Sequence, residues 1–148
     1  MVWANLFEEL GLLFQSMPIP DVLIIHLGGN DIGRSKSLDL LFQIKDDLGQ
    51  LCQSFPELCL FFSEIFPRLV WSRTPFERVR KRLNRAIAKF MPTIGGLSFR
   101  HVDLEGGIAG LFRSDGVHLS EIGLDIFNNN LQNMVEVAAR RGGWAGLV

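Results

Sequence analysis

Short apolar runs of strand length alternate with longer stretches of helical periodicity, and this alternation limits the possible folds more than any other feature of the chain. Asp21-Val22-Leu23-Ile24-Ile25-His26-Leu27 is nearly continuous in apolar side chains and rich in β-branched ones, the pattern of a strand covered on both faces. Similar runs lie near Leu58 to Ile65 and Ser98 to Val102. Trp3, Leu6, Phe7, Leu10, Leu13 and Phe14 recur at helical spacing and predict an amphipathic helix over residues 3–16, which Pro18 and Pro20 end. Further helices are expected over 38–55, 76–91 and 120–140. The last is opened by Ser120 as N-cap and stopped by Gly142-Gly143. Strands alternating with helices predict a parallel sheet between helical layers, an α/β fold of three layers.

No repeat or linker divides the 148 residues, so one domain spanning 1–148 is expected. Open sheets of this kind usually have about five strands, with the first near the middle. Three strands preceded by a helix therefore lead to the expectation that one or two strands are missing at the front. The run 21–27 would then form an apolar sheet edge prone to self-association.

Apolar residues make up 47% of the chain and include twelve Phe, enough for a packed interior and contrary to disorder. A net charge of -1 gives no general attraction to nucleic acid or anionic membranes. Cys52 and Cys59 are too few for a disulfide framework or a four-ligand zinc site, and are expected to be buried thiols. Glu8 and Glu9 interrupt the first apolar stretch, so it does not read as a signal peptide, and no run reaches membrane-spanning length. A soluble, cytoplasmic protein is the default expectation. No metal or cofactor is implied.

In an open parallel sheet, ligands bind beyond the carboxyl ends of the strands. The first such turn is Gly28-Gly29-Asn30-Asp31. Its glycines allow a sharp turn and close backbone approach, and Asn30 offers an N–H of the kind that stabilises a developing oxyanion. The same residues also suit a plain turn with a helix cap. After the last strand comes Asp115-Gly116-Val117-His118. A carboxylate three residues before a histidine can fix the ring's tautomer and make it a general base, although the pattern also suits capping. His26 and His101 fall inside the predicted strands and read as core or structural residues.

Taken together, and in this order, the two motifs resemble those of SGNH (GDSL-like) hydrolases. Asp21 to Gly33 is similar to the family block whose Gly-x-Asn-Asp supplies an oxyanion asparagine. Arg113 to Ser120 is similar to the final block, whose Asp-x-x-His supplies two triad members. The resemblance runs to about Leu131 and is loosely nearest to SGNH-like domains of vertebrate genomes, some of them retroelement-linked. It implies a flavodoxin-like parallel sheet, a small-molecule ester substrate, His118 as base, Asp115 as its partner and Asn30 as oxyanion donor. Gly28 and Gly29 would permit the turn, and Asp31 would brace the loop. The family's Gly-Asp-Ser nucleophile block is absent from this sequence. The resemblance thus implies an ester hydrolase inactive without a serine supplied from elsewhere, or a non-catalytic relic or binding module. A basic helix face at Arg78, Lys81 or Arg82, Arg85 and Lys89 raises nucleic acid as a partner, but is also what a solvated outer face looks like.

Overall fold

A computed structural model describes residues 1–141. A single 3₁₀ turn, Trp3–Asn5, leads into α1 (Leu6–Ser16). The chain continues through β1 (Val22–Ile25), α2 (Ser37–Ser54), β2 (Cys59–Ser63), α3 (Pro75–Phe90), β3 (Leu97–Phe99) and α4 (Glu121–Arg141). The strands form a parallel sheet in the order β1-β2-β3, with Ile25 beside Phe62 and Ser63 beside Phe99. Among the described residues β1 is paired on one side only, by β2.

Side chains of β2 alternate between two cores because successive strand residues face opposite sides. Leu60 and Phe62 pack with Trp3, Leu6 and Leu10 of the first helical segment, with Ile44, Leu48 and Leu51 of α2, and with Leu83 and Ile87 of α3. Phe61 faces the other way, onto Met134 and Ala138 of α4. The sheet thus lies between helical layers, the α/β arrangement that the alternating sequence predicts. Phe7, Leu12 and Leu13 of α1 remain exposed.

The Ser120 Oγ accepts the Gly123 N–H and donates to the Gly110 carbonyl, so it both caps α4 and ties it to the preceding turn. Gly142-Gly143, expected to stop this helix, lies outside the described residues. Gly123 packs so closely that an added Cβ would collide with the Leu111 carbonyl oxygen. Gly123→Ala is therefore expected to lower stability by about 1–2 kcal/mol in urea unfolding, although alanine is the better helix former by up to ~1 kcal/mol. Unchanged or raised stability would mean that the turn yields freely.

Arg80, one of the basic residues of α3, is fully buried. It donates to both oxygens of Glu77 (2.5 and 2.9 Å), to both of Glu105 (2.8 and 3.0 Å) and to the Ile65 carbonyl (2.9 Å). Burial alone would lower the guanidinium's pKa, but hydrogen bonds and charge from Glu77 and Glu105 more than reverse this. Asn84, one turn on, accepts the Ile65 N–H and donates to its carbonyl. Two polar residues of α3 thereby fix the backbone just beyond β2.

Candidate active site

A cavity of about 350 Å³ opens at the carboxyl ends of the strands. His26, Gly28, Gly29 and Asn30 line it after β1, Ile65, Phe66 and Arg68 after β2, and His118 from the loop before α4. Asn30 and His118, proposed from separate motifs 88 positions apart in the chain, therefore share one cavity.

The glycine turn follows directly from β1. Gly28 has φ of 112°, a conformation that side-chain-bearing residues rarely adopt, and a Cβ there would lie 3.1 Å from Ile65. At Gly29 a Cβ would come within 3.0 Å of the Arg68 guanidinium. That guanidinium donates to Asn30 Oδ1 at 2.7 Å and stacks over Trp71 at 4.6 Å. With Oδ1 held by Arg68, the amide nitrogen becomes the free end for donation, and it donates to the Met1 carbonyl at 3.1 Å. Burial lowers the Arg68 pKa. Asp31 does not point at the cavity chemistry: it is buried and accepts the Trp3 N–H at 2.9 Å, bracing the loop against the first helical segment.

The second motif is a tight turn. Arg113 N–H donates to the His118 carbonyl at 2.7 Å, and Phe112 bridges Leu119. Asp115 Oδ1 accepts the N–H groups of Val117 and His118, while Oδ2 sits 2.6 Å from His118 Nδ1. These bonds, led by the one from the His118 ring, hold the Asp115 carboxyl far below the usual carboxylate range. With Nδ1–H committed to Asp115, Nε2 is the free basic nitrogen of the ring, and the side chain is 68% exposed. Among the described residues no serine, threonine or cysteine lines the cavity. Cys52 and Cys59 are free and only half-buried, and burial pushes both thiols up. No group of three or more His, Cys, Asp or Glu among the described residues is placed to hold a metal ion, and no helix among them is long and apolar enough to cross a membrane.

Two histidines differ from the sequence expectation. β1 ends at Ile25 and β3 at Phe99, so His26 and His101 lie just past their strands rather than within them. They join Ser63, the last residue of β2, and Asn130 of α4 in a polar chain. Ser63 Oγ is 2.9 Å from His26 Nδ1 and 2.6 Å from His101 Nε2, and the Asn130 amide nitrogen is 3.0 Å from His101 Nδ1. Phe66 stacks on His26, and Phe127 contacts both rings. Burial lowers both rings to a pKa of about 4; for His26 the charge of His101 adds to this. Ser63 at the end of β2, with His26 and His101 within two residues past β1 and β3, is the sequence signal for this cluster.

The sequence matches no family model and no curated protein. Solved structures similar to this chain include that titled "Crystal Structure of TesA", with TM-score 0.71 and 17% identity over 93% of this chain and 73% of that one. The Clostridium thermocellum family 3 carbohydrate esterase gives TM-score 0.73 and 16% identity over 96% and 69%. The psychrotrophic esterase EstA from Pseudoalteromonas sp., in a structure inhibited by monoethylphosphonate, gives 0.68 and 16% over 92% and 72%. At these identities the likeness establishes the fold, and that fold, a parallel sheet flanked by helices, is the one SGNH-type esterases use.

Proposed function

We propose that this chain carries the base, its orienting acid and an oxyanion donor of an ester hydrolase acting on acyl or acetyl esters, and that the nucleophilic hydroxyl comes from outside the residues lining the cavity. The observation that carries this reading is the shared cavity: a histidine with Nδ1 held by a carboxylate and Nε2 open, together with an asparagine whose amide nitrogen is presented for donation. His118 Nε2 takes the proton of the attacking hydroxyl as its oxygen bonds to the acyl carbon. Asp115 stabilises the imidazolium, and Asn30 Nδ2 exchanges the Met1 carbonyl for the oxyanion. The proton then passes from His118 to the departing alcohol. An upstream strand ending in a serine, or a second chain, would complete the site.

The lack of a hydroxyl or thiol among the described residues that line the cavity favours a second reading, a non-catalytic relic that keeps the pocket for binding. Arg78, Lys81, Arg82, Arg85 and Lys89 are all exposed on α3, which supports contact with phosphates no more than it supports a solvated face.

A small alcohol added as nucleophile separates enzyme from relic. Ethanol attacks the acetyl carbon of p-nitrophenyl acetate, p-nitrophenolate leaves, and the ethanol proton passes to His118, giving ethyl acetate. Release by the chain alone is expected to lie near buffer, and ethanol should raise it saturably. His118→Ala and Asn30→Ala should each lower the ethanol-dependent rate about a hundredfold. Equal rates for all three proteins, each folded by circular dichroism, would overturn the catalytic reading and favour the relic.

A further inference from the structure

The polar chain at the strand ends has no part in the mechanism above, yet it buries Ser63, His101 and Asn130 and half-buries His26 where apolar side chains would pack at less cost. Its donor and acceptor order follows from its end. The Asn130 amide nitrogen can only donate, so His101 Nδ1 accepts and the His101 proton sits on Nε2, which donates to Ser63 Oγ. The Ser63 hydroxyl is left to donate to His26 Nδ1. A neutral His26 then carries its proton on Nε2. Among the described residues no buried side-chain nitrogen or oxygen lacks a partner; Nε2 of His26 has no hydrogen bond to another of them and so keeps some exposure, and His26 lines the cavity. Phe66 and Phe127 lie against the ring, and Leu27, Ile65 and Leu124 are also in the cavity lining, with Asn30, Arg68, Arg113 and His118 as its polar members.

We propose that His26 is a specificity-determining residue, presenting an Nε2–H donor in the apolar part of the cavity, and that the cavity selects acyl groups carrying an oxygen acceptor along the chain, such as oxo-acyl groups, over plain alkyl ones. Ser63, His101 and Asn130 are positioning residues that fix the tautomer. The inference rests on the acyl-pocket reading given above. An apolar pocket without the donor favours the alkyl chain, because burying an unpaired carbonyl is unfavourable. With the donor the order reverses, since a single neutral hydrogen bond corresponds to roughly a 3- to 10-fold change in affinity.

Long-range ¹H–¹⁵N imidazole spectra of the chain read the tautomer directly, and titration of 5-oxohexanoate against hexanoate, followed by backbone amide shifts at Leu27 to Asn30, reads the selection. The expected result is an Nε2–H tautomer for His26 and about 3- to 10-fold tighter binding of the oxo acid. His26→Phe should reverse the preference, and Ser63→Ala, which leaves the ring in place, should give mixed tautomers and a weaker preference. A proton on Nδ1 of His26, or a preference that is absent or survives in His26→Phe, overturns the proposal while leaving the acyl-pocket reading standing. If neither acid shifts these amides, that reading falls and the proposal falls with it. Should His26→Phe fail to fold, the tautomer and Ser63→Ala decide: a single Nε2–H form with a preference unchanged by Ser63→Ala overturns the relay.

Discussion

Lowering the pH from 7 to 4.5 is expected to remove about 2–3 kcal/mol of stability for each of His26 and His101, a large share of the 5–15 kcal/mol typical of a domain. In the unfolded chain these rings take up protons near pH 6.5; in the folded protein burial holds both at about 4, and His101 depresses His26 further. Between those values the unfolded state binds more protons. The contribution is therefore complete above about pH 6.5 and lost as pH falls towards 4. A backbone hydrogen bond at Ser63 opposes the His26 shift, and the charge of Glu105 opposes that of His101, without reversing either. Glu64, whose carboxyl burial pushes up, acts in the opposite direction over the acid range. Urea unfolding at both pH values measures the difference, and His26→Phe should remove about half of the dependence. Equal stability at pH 7 and 4.5 would mean that the rings reach water or are already protonated.

Arg80→Met is expected to cost about 2–4 kcal/mol, and to lower the thermal midpoint by roughly 10 °C. The methionine fills much of the volume but leaves Glu77 and Glu105 facing each other and the Ile65 carbonyl with one donor instead of two. The loss falls at the lower end for a broken buried pair because both carboxylates still touch water, at 21 and 22% exposure. Arg80→Lys should recover only part of it: one ammonium cannot replace a planar fork that donates to two carboxylates and a carbonyl. A methionine variant that melts with the parent protein would show the ion pairs to be energetically idle.

The layers of the fold are legible in the sequence because burial on two faces demands continuous apolar runs, and burial on one face demands helical periodicity. Strand ends are less so. The apolar run continues through Leu27, but backbone pairing stops at Ile25, and that difference moves His26 from the sheet interior to the cavity. Asn30, Asp115 and His118 stand out because short-range chemistry sets them: a glycine turn, and a carboxylate three residues from a ring. Arg68 is invisible at that range, reaching Asn30 across 38 positions. Arg80 reads as one more charge on a basic helix, since helical spacing alone does not reveal that Glu105 and the Ile65 carbonyl wait on the inner side. Long-range side-chain partners, rather than local pattern, are what the sequence conceals.

Asn30 sits on an exposed loop, where an amide would ordinarily swing through its rotamers and lose that freedom only on meeting a ligand. Here Arg68 grips the oxygen and is itself laid flat on Trp71, a buried residue of the core. The entropy of ordering the amide is thus surrendered during folding, in advance of any encounter. A surface residue has in this way acquired the rigidity of the interior, with its amide nitrogen held on the Met1 carbonyl.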